Sequence, residues 1–86
     1  MKIVFTSHAK KRIKERNLNQ TQVINFIQNP DSSTISSKNN QRTLIKKVYY
    51  HQTFKKKHLL IAICEQQNGI LHVITIIDTS KVKKYS

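Results

Sequence analysis

The chain is 86 residues long and carries 16 Lys and Arg against four Asp and Glu, a formal net charge of +12. That describes one small basic domain, residues 1–86, with one modest core and a polyanion as its natural partner. Apolar residues, 37% of the total and gathered in periodic blocks, exclude a disordered basic tail.

The lone Cys64 excludes an internal disulfide framework and suits a reducing compartment, so the expected location is cytoplasmic. The segment MKIVFTSHAKK has too short an apolar stretch for a signal peptide. No apolar run approaches the roughly 20 residues of a membrane span.

Lys2–Phe5 reads as a short strand or an extended lead-in. Thr6 or Ser7 then offers an N-cap oxygen to a helix beginning near His8. On that helix Ala9 and Ile13 form the buried stripe, Lys10 and Lys14 point away, and His8, Arg12 and Arg16 fall four apart along its flank. A second helix is predicted from Asn19, where Gln22 has capping-box spacing and Leu18 and Val23 occupy the staple positions. Its apolar face is Val23, Ile24, Phe26 and Ile27, and Pro30 ends it by forcing Asn29 out of helical geometry. The two helices make a hairpin joined near Asn17.

The polar stretch 31–40 holds Thr34 and Ile35 as a short edge strand before a turn at Lys38, Asn39 and Asn40. Residues 42–50 form a strand, HQTFKKK a basic loop carrying Phe54, and residues 57–65 and 70–78 two strong strands around an Asn68-Gly69 turn. A two-residue loop sets Gln67 opposite Ile70, Glu65 opposite His72 and Ala62 opposite Thr75. The face bearing Leu59, Ile61, Ile63, Ile74 and Ile76 is expected to pack on the helices. The other, with His58, Leu60, Ala62, Cys64, Val73, Thr75 and Ile77, is expected to be more open. The predicted fold class is α+β, two N-terminal helices on one face of an antiparallel three- to four-stranded sheet.

Four scattered carboxylates and the His51 and His58 spacing do not favour a metal site, and one glycine supplies no nucleotide-binding loop. Metal-free, cofactor-free chemistry on phosphate remains. RNA carries its own nucleophile, the 2′-hydroxyl, so cleavage needs a base, an acid and cations around the phosphorane. Histidine and arginine suffice for these. His8 also lies at a helix start, where backbone N–H groups favour an anion. A solvated His8 and core-covering stems for Arg12 and Arg16 weigh about equally with these roles. Lys46 and Lys47 point to opposite faces of their strand, Lys55, Lys56 and Lys57 add phosphate affinity, and His58 is the best spare histidine.

Read together, His8, Arg12 and Arg16 before a capped helix ending in Asn29-Pro30, and a strand meander closing on VITII, resemble domain-of-unknown-function family 4258. That family is similar to the RelE, ParE and BrnT toxins. The resemblance implies a RelE/barnase-like fold and a metal-independent ribonuclease or other toxin-like role. It points to His8, Arg12 and Arg16, a basic residue at Lys46 or Lys47, and Thr75. The leading expectation is an endoribonuclease of toxin type acting on single-stranded RNA, free or on the ribosome, held in check by an acidic antitoxin. His8, Arg12, Arg16 and Thr75 would be catalytic, and Lys46, Lys47, Lys55, Lys56, Lys57 and His58 would bind nucleic acid. The alternatives are a non-catalytic nucleic-acid-binding module with Tyr49, Tyr50 and Phe54 as stacking surfaces, and a relative that targets a protein.

Overall fold

Thr6 begins the first helix by accepting the Ala9 N–H on its hydroxyl at 3.1 Å. Asn19 begins the second through a reciprocal capping box with Gln22, its side chain accepting the Gln22 N–H at 2.8 Å while Gln22 Oε1 accepts the Asn19 N–H at 3.0 Å. Between them Asn17 adopts φ 58°, a left-handed conformation that asparagine tolerates well. The computed structural model describes residues 2–35 and 42–85, and the expected turn at Lys38, Asn39 and Asn40 lies outside them.

The elements run β1 (Lys2–Phe5), α1 (Ser7–Glu15), α2 (Gln20–Gln28), β2 (Ser32–Ile35), β3 (Arg42–His51), β4 (Lys56–Gln67), β5 (Ile70–Thr79) and α3 (Val82–Tyr85). Their strands form one sheet in the order β1-β5-β4-β3-β2. The expected antiparallel sheet of three to four strands is therefore corrected to a mixed sheet of five, and a third short helix joins the other two. The cause is β1, which pairs in parallel with β5, Lys2 against Ile70 through Phe5 against Val73. It occupies the edge of β5 that the β4–β5 hairpin leaves open, and its partly buried Ile3 and Phe5 pack against the core. Local sequence periodicity carries no record of a pairing between segments so far apart in the chain.

The packed face differs too. The core joins Ala9, Ile13, Val23 and Ile27 of the helices to Ile45, Leu60, Ala62, Cys64, Leu71, Val73 and Ile76 of the sheet. The helices thus cover the Leu60, Ala62 and Cys64 face rather than the Leu59, Ile61 and Ile63 face. The small Ala62 and Cys64, both fully buried, let the helix layer approach closely, with Ala9 equally buried on α1. On the outer face Leu59 is buried at the end of β4 where α3 packs, while Ile77 stays 41% exposed.

The register from the Asn68-Gly69 turn holds for its first steps, Gln67 against Ile70, Glu65 against His72 and Cys64 against Val73. Then it shifts by one. Ile63 pairs with Thr75 and Ala62 with Ile76, so Ile74 is an extra, bulged residue and the expected Ala62–Thr75 pair does not form. Thr6 holds this bulge from the helix side, donating its hydroxyl to the Ile74 carbonyl at 2.8 Å and its backbone N–H to the Val73 carbonyl at 3.1 Å. Among the described residues no helix is long and apolar enough to cross a membrane.

Candidate active site

The bulge at Ile74 has a chemical consequence. Had the turn register continued, Asp78 would face away from His58, because side chains alternate along a strand. The one-residue shift sets Asp78 opposite Leu60 and so onto the helix-covered face with His58. Tyr49 reaches the same place as the direct partner of His58 across β3 and β4. Asp78 Oδ2 lies 2.8 Å from His58 Nδ1. Its other oxygen, Oδ1, accepts the Tyr49 hydroxyl at 2.5 Å. Asp78 and His58 are 7% and 6% exposed, so this is a buried, mutually satisfied cluster.

These bonds define the roles of the atoms. The carboxylate accepts from both neighbours, so His58 Nδ1 carries a proton and Nε2 is the nitrogen left for proton exchange. Nε2 has no hydrogen-bond partner among the described residues and is not sealed from solvent. Tyr49, pushed far above the usual phenol range by burial and by its hydrogen bond to and the charge of Asp78, stays protonated and pins the carboxylate.

A second histidine ties this cluster to α1. His51, 2% exposed, accepts the Thr53 N–H on Nδ1 at 3.2 Å, which leaves its Nε2–H to donate to the Arg16 carbonyl at 2.9 Å. Arg16 is the C-cap of α1, so His51 fixes the end of that helix to the β3–β4 turn. The turn in its place carries Phe54, whose ring lies nearly parallel to that of His58, centroids 5.5 Å apart and planes 6° apart. Lys55 closes it in a left-handed conformation, φ 53°, with its N–H on the His51 carbonyl at 2.7 Å.

Arg16, Phe54, Lys56, His58, Asp78, Thr79 and Ser80 line a cleft of about 340 Å³, within the range of small-ligand sites. Among the described lining residues Asp78 is the sole carboxylate, already engaged by His58 and Tyr49. Arg16 makes no ion pair among the described residues, where Arg42 pairs with Glu65 at 3.1 Å and Lys47 with Asp31 at 3.7 Å. An imidazole oriented by a carboxylate, next to an arginine and a lysine and an exposed aromatic edge, suits proton transfer beside a bound phosphate.

Of the residues singled out from the sequence, Arg16, Lys56 and His58 meet at this cleft. His8 is exposed in the first turn of α1, ~12 Å along the helix from Arg16, and Arg12 lies half-buried one turn before the cleft. Thr75, paired with Ile63, faces away from the helix layer, so it does not converge with His8, Arg12 and Arg16. Lys46, paired with Ile61, and Lys57, paired with Tyr50, are on the outer face as well. Lys47 is held by Asp31, and Lys55 lies in the turn beside the cleft.

Sequence reasoning missed Asp78 altogether, placed Tyr49 and Phe54 only as stacking surfaces and weighed His51 as a metal ligand without giving it a place in the site. One signal was available. Asp78 closes the apolar run VITII, and a carboxylate there must find a hydrogen-bond donor if its strand is buried.

The chain belongs to the family described as Domain of unknown function (DUF4258), which it matches over residues 5–82. No curated protein and no solved structure matches it.

Proposed function

We propose that this protein is a metal-independent endoribonuclease of toxin type, cleaving single-stranded RNA by attack of the 2′-hydroxyl, with His58 as its proton-transfer residue. The observation that carries this reading is the His58–Asp78–Tyr49 chain opening on the cleft shared by Arg16 and Lys56. A buried carboxylate holding one imidazole nitrogen gives the other a defined direction and stabilises the imidazolium that forms during transfer. Neither is needed in a module that merely binds a polyanion.

In this reading His58 Nε2 takes the 2′-hydroxyl proton as the 2′-oxygen bonds to phosphorus. The bond from phosphorus to the 5′-oxygen then breaks, and that oxygen receives a proton from Nε2 or from water, leaving a 2′,3′-cyclic phosphate. Arg16 and Lys56 offset the charge on the phosphorane, Arg16 with a planar fork suited to two phosphate oxygens. Phe54 offers its exposed edge to an unpaired base. The resemblance drawn from the sequence between family 4258 and the RelE, ParE and BrnT toxins, together with the +12 charge, supports a toxin acting in the cytoplasm on RNA, free or ribosome-bound, with an acidic antitoxin as its partner.

The test incubates protein with single-stranded RNA in the presence of a chelator, beside His58→Ala and beside the same RNA carrying 2′-deoxy sugars. Cleavage by the wild type to cyclic-phosphate ends, lost in the variant and on the deoxy substrate, is expected. Undiminished cleavage by His58→Ala, or salt-sensitive binding with no turnover, overturns the proposal, the latter in favour of a non-catalytic module.

A further inference from the structure

Ser80, at one edge of the cleft, borders another recess as well. The same serine lines a second, larger groove of about 570 Å³ with Lys57, Lys81, Val82, Lys83 and Lys84. Among the described residues of that lining there is no Asp or Glu. The two recesses are on opposite sides of the end of the sheet, because Lys56 and Lys57 are neighbours on β4 whose side chains take opposite faces.

The groove has a defined shape. Lys81 is set by its backbone N–H donating to the Thr79 hydroxyl at 3.1 Å, and Lys84 closes the turn with its N–H on the Lys81 carbonyl at 3.2 Å. Val82 is half-buried, and Lys57, Lys81, Lys83 and Lys84 are exposed. A basic groove that shares a lining residue with a cleft suited to phosphate is an arrangement by which a protein can follow a single strand along its backbone.

We infer that the lysine groove beside α3 binds the phosphates of the RNA strand flanking the cleaved bond, so that the substrate is a single strand several nucleotides long wrapped around the sheet end. This rests on the ribonuclease reading of the His58 cleft for the position of the scissile phosphate. The chemistry of the groove itself, cationic through lysines with no arginine among its described lining residues, makes it a reader of backbone charge and not of base identity.

The experiment measures binding of a 2′-O-methyl RNA dodecamer, which cannot be cleaved by 2′-attack, across a salt series. It compares wild type with Lys81→Gln/Lys83→Gln/Lys84→Gln and with the charge-matched control Lys10→Gln/Lys11→Gln/Lys14→Gln on the exposed side of α1. The groove variant is expected to flatten the slope of log affinity against log salt by about 2, at ~0.7 per lost single-strand phosphate contact. The control should shift it by less than half of that. Lys81→Arg/Lys83→Arg/Lys84→Arg should keep the wild-type slope, separating lost charge from a disturbed fold.

Equal flattening in both triple variants overturns the inference, because charge without location then accounts for binding. So does an unchanged RNA slope accompanied by lost binding to phosphatidylserine vesicles or to an acidic protein. Cleavage retained by His58→Ala alongside a flattened slope in the groove variant removes the catalytic reading and leaves the RNA track standing.

Discussion

The start of α1 and the end of the sheet where β4 begins and β5 finishes both present a histidine in a basic setting, yet of the two only His58 is held by a carboxylate among the described residues. His8 has solvent around it and Arg12 and Arg16 on later turns of its helix. His58 has a carboxylate on Nδ1, a phenol behind that carboxylate, a phenylalanine ring along its face and a cleft before it. The difference teaches that residue type and spacing nominate a proton-transfer group, while an orienting partner makes one. Arg16 belongs to both regions, being the last member of the helical stripe and the first lining residue of the cleft.

The sharpest way to break this comparison is to remove each imidazole in turn. His58→Ala should lower RNA cleavage by ~10²–10⁴, the usual worth of a positioned acid–base group, and His8→Ala should leave the rate within about twofold. Initial rates on one single-stranded substrate decide it. A larger loss at His8 than at His58 would return the chemistry to the start of α1.

The two faces of the sheet provide the next contrast. Leu60 is fully buried beneath the helices, whereas Ile77 is 41% exposed on the outer face. Leu60→Ala should destabilise the fold by about 2–5 kcal/mol, and Ile77→Ala by about 0.5 kcal/mol. Urea denaturation midpoints read both. Similar losses would mean that the outer face is covered in solution.

Much of this architecture was legible from short-range chemistry. Thr6, the Asn19 and Gln22 box, the Pro30 stop and the Asn68-Gly69 turn each act within a few residues, and each is found where the sequence put it. What escaped was non-local. The parallel β1–β5 pair joins the two ends of the chain, and the bulge at Ile74 lies in a run, Val73 to Ile77, whose uniform β-formers hide a change of parity. That change is what turns Asp78 toward His58, so the register error and the missed carboxylate are one event.

Thr6 links these layers, capping α1 with the same hydroxyl that donates to the Ile74 carbonyl. Thr6→Val keeps the shape, removes both bonds and leaves a bulge carbonyl unpaired, so it should cost about 2 kcal/mol of stability. It should also slow RNA cleavage, as the strand regains freedom to slip and Asp78 to leave His58. A stability loss with unchanged kcat would show that the bulge holds without its cap.

The smallest expected effect tests the second link of the site chain. Tyr49→Phe removes the donor to Asp78 Oδ1 while leaving the ring that meets Phe26 at 4.7 Å, so about 1 kcal/mol of stability should be lost near neutral pH. The Tyr49 phenol is raised in the fold above its unfolded value of about 10, so its stabilisation is complete below that pH and is lost as pH climbs beyond it. Cys64, pushed up to about 11 by burial, adds a loss of the same sign between the ordinary thiol range and that value. Wild-type stability should therefore fall steeply above pH 10, and Tyr49→Phe should fall less steeply while starting lower. Parallel curves for the two proteins would mean that the phenol titrates freely and does not anchor the carboxylate behind His58.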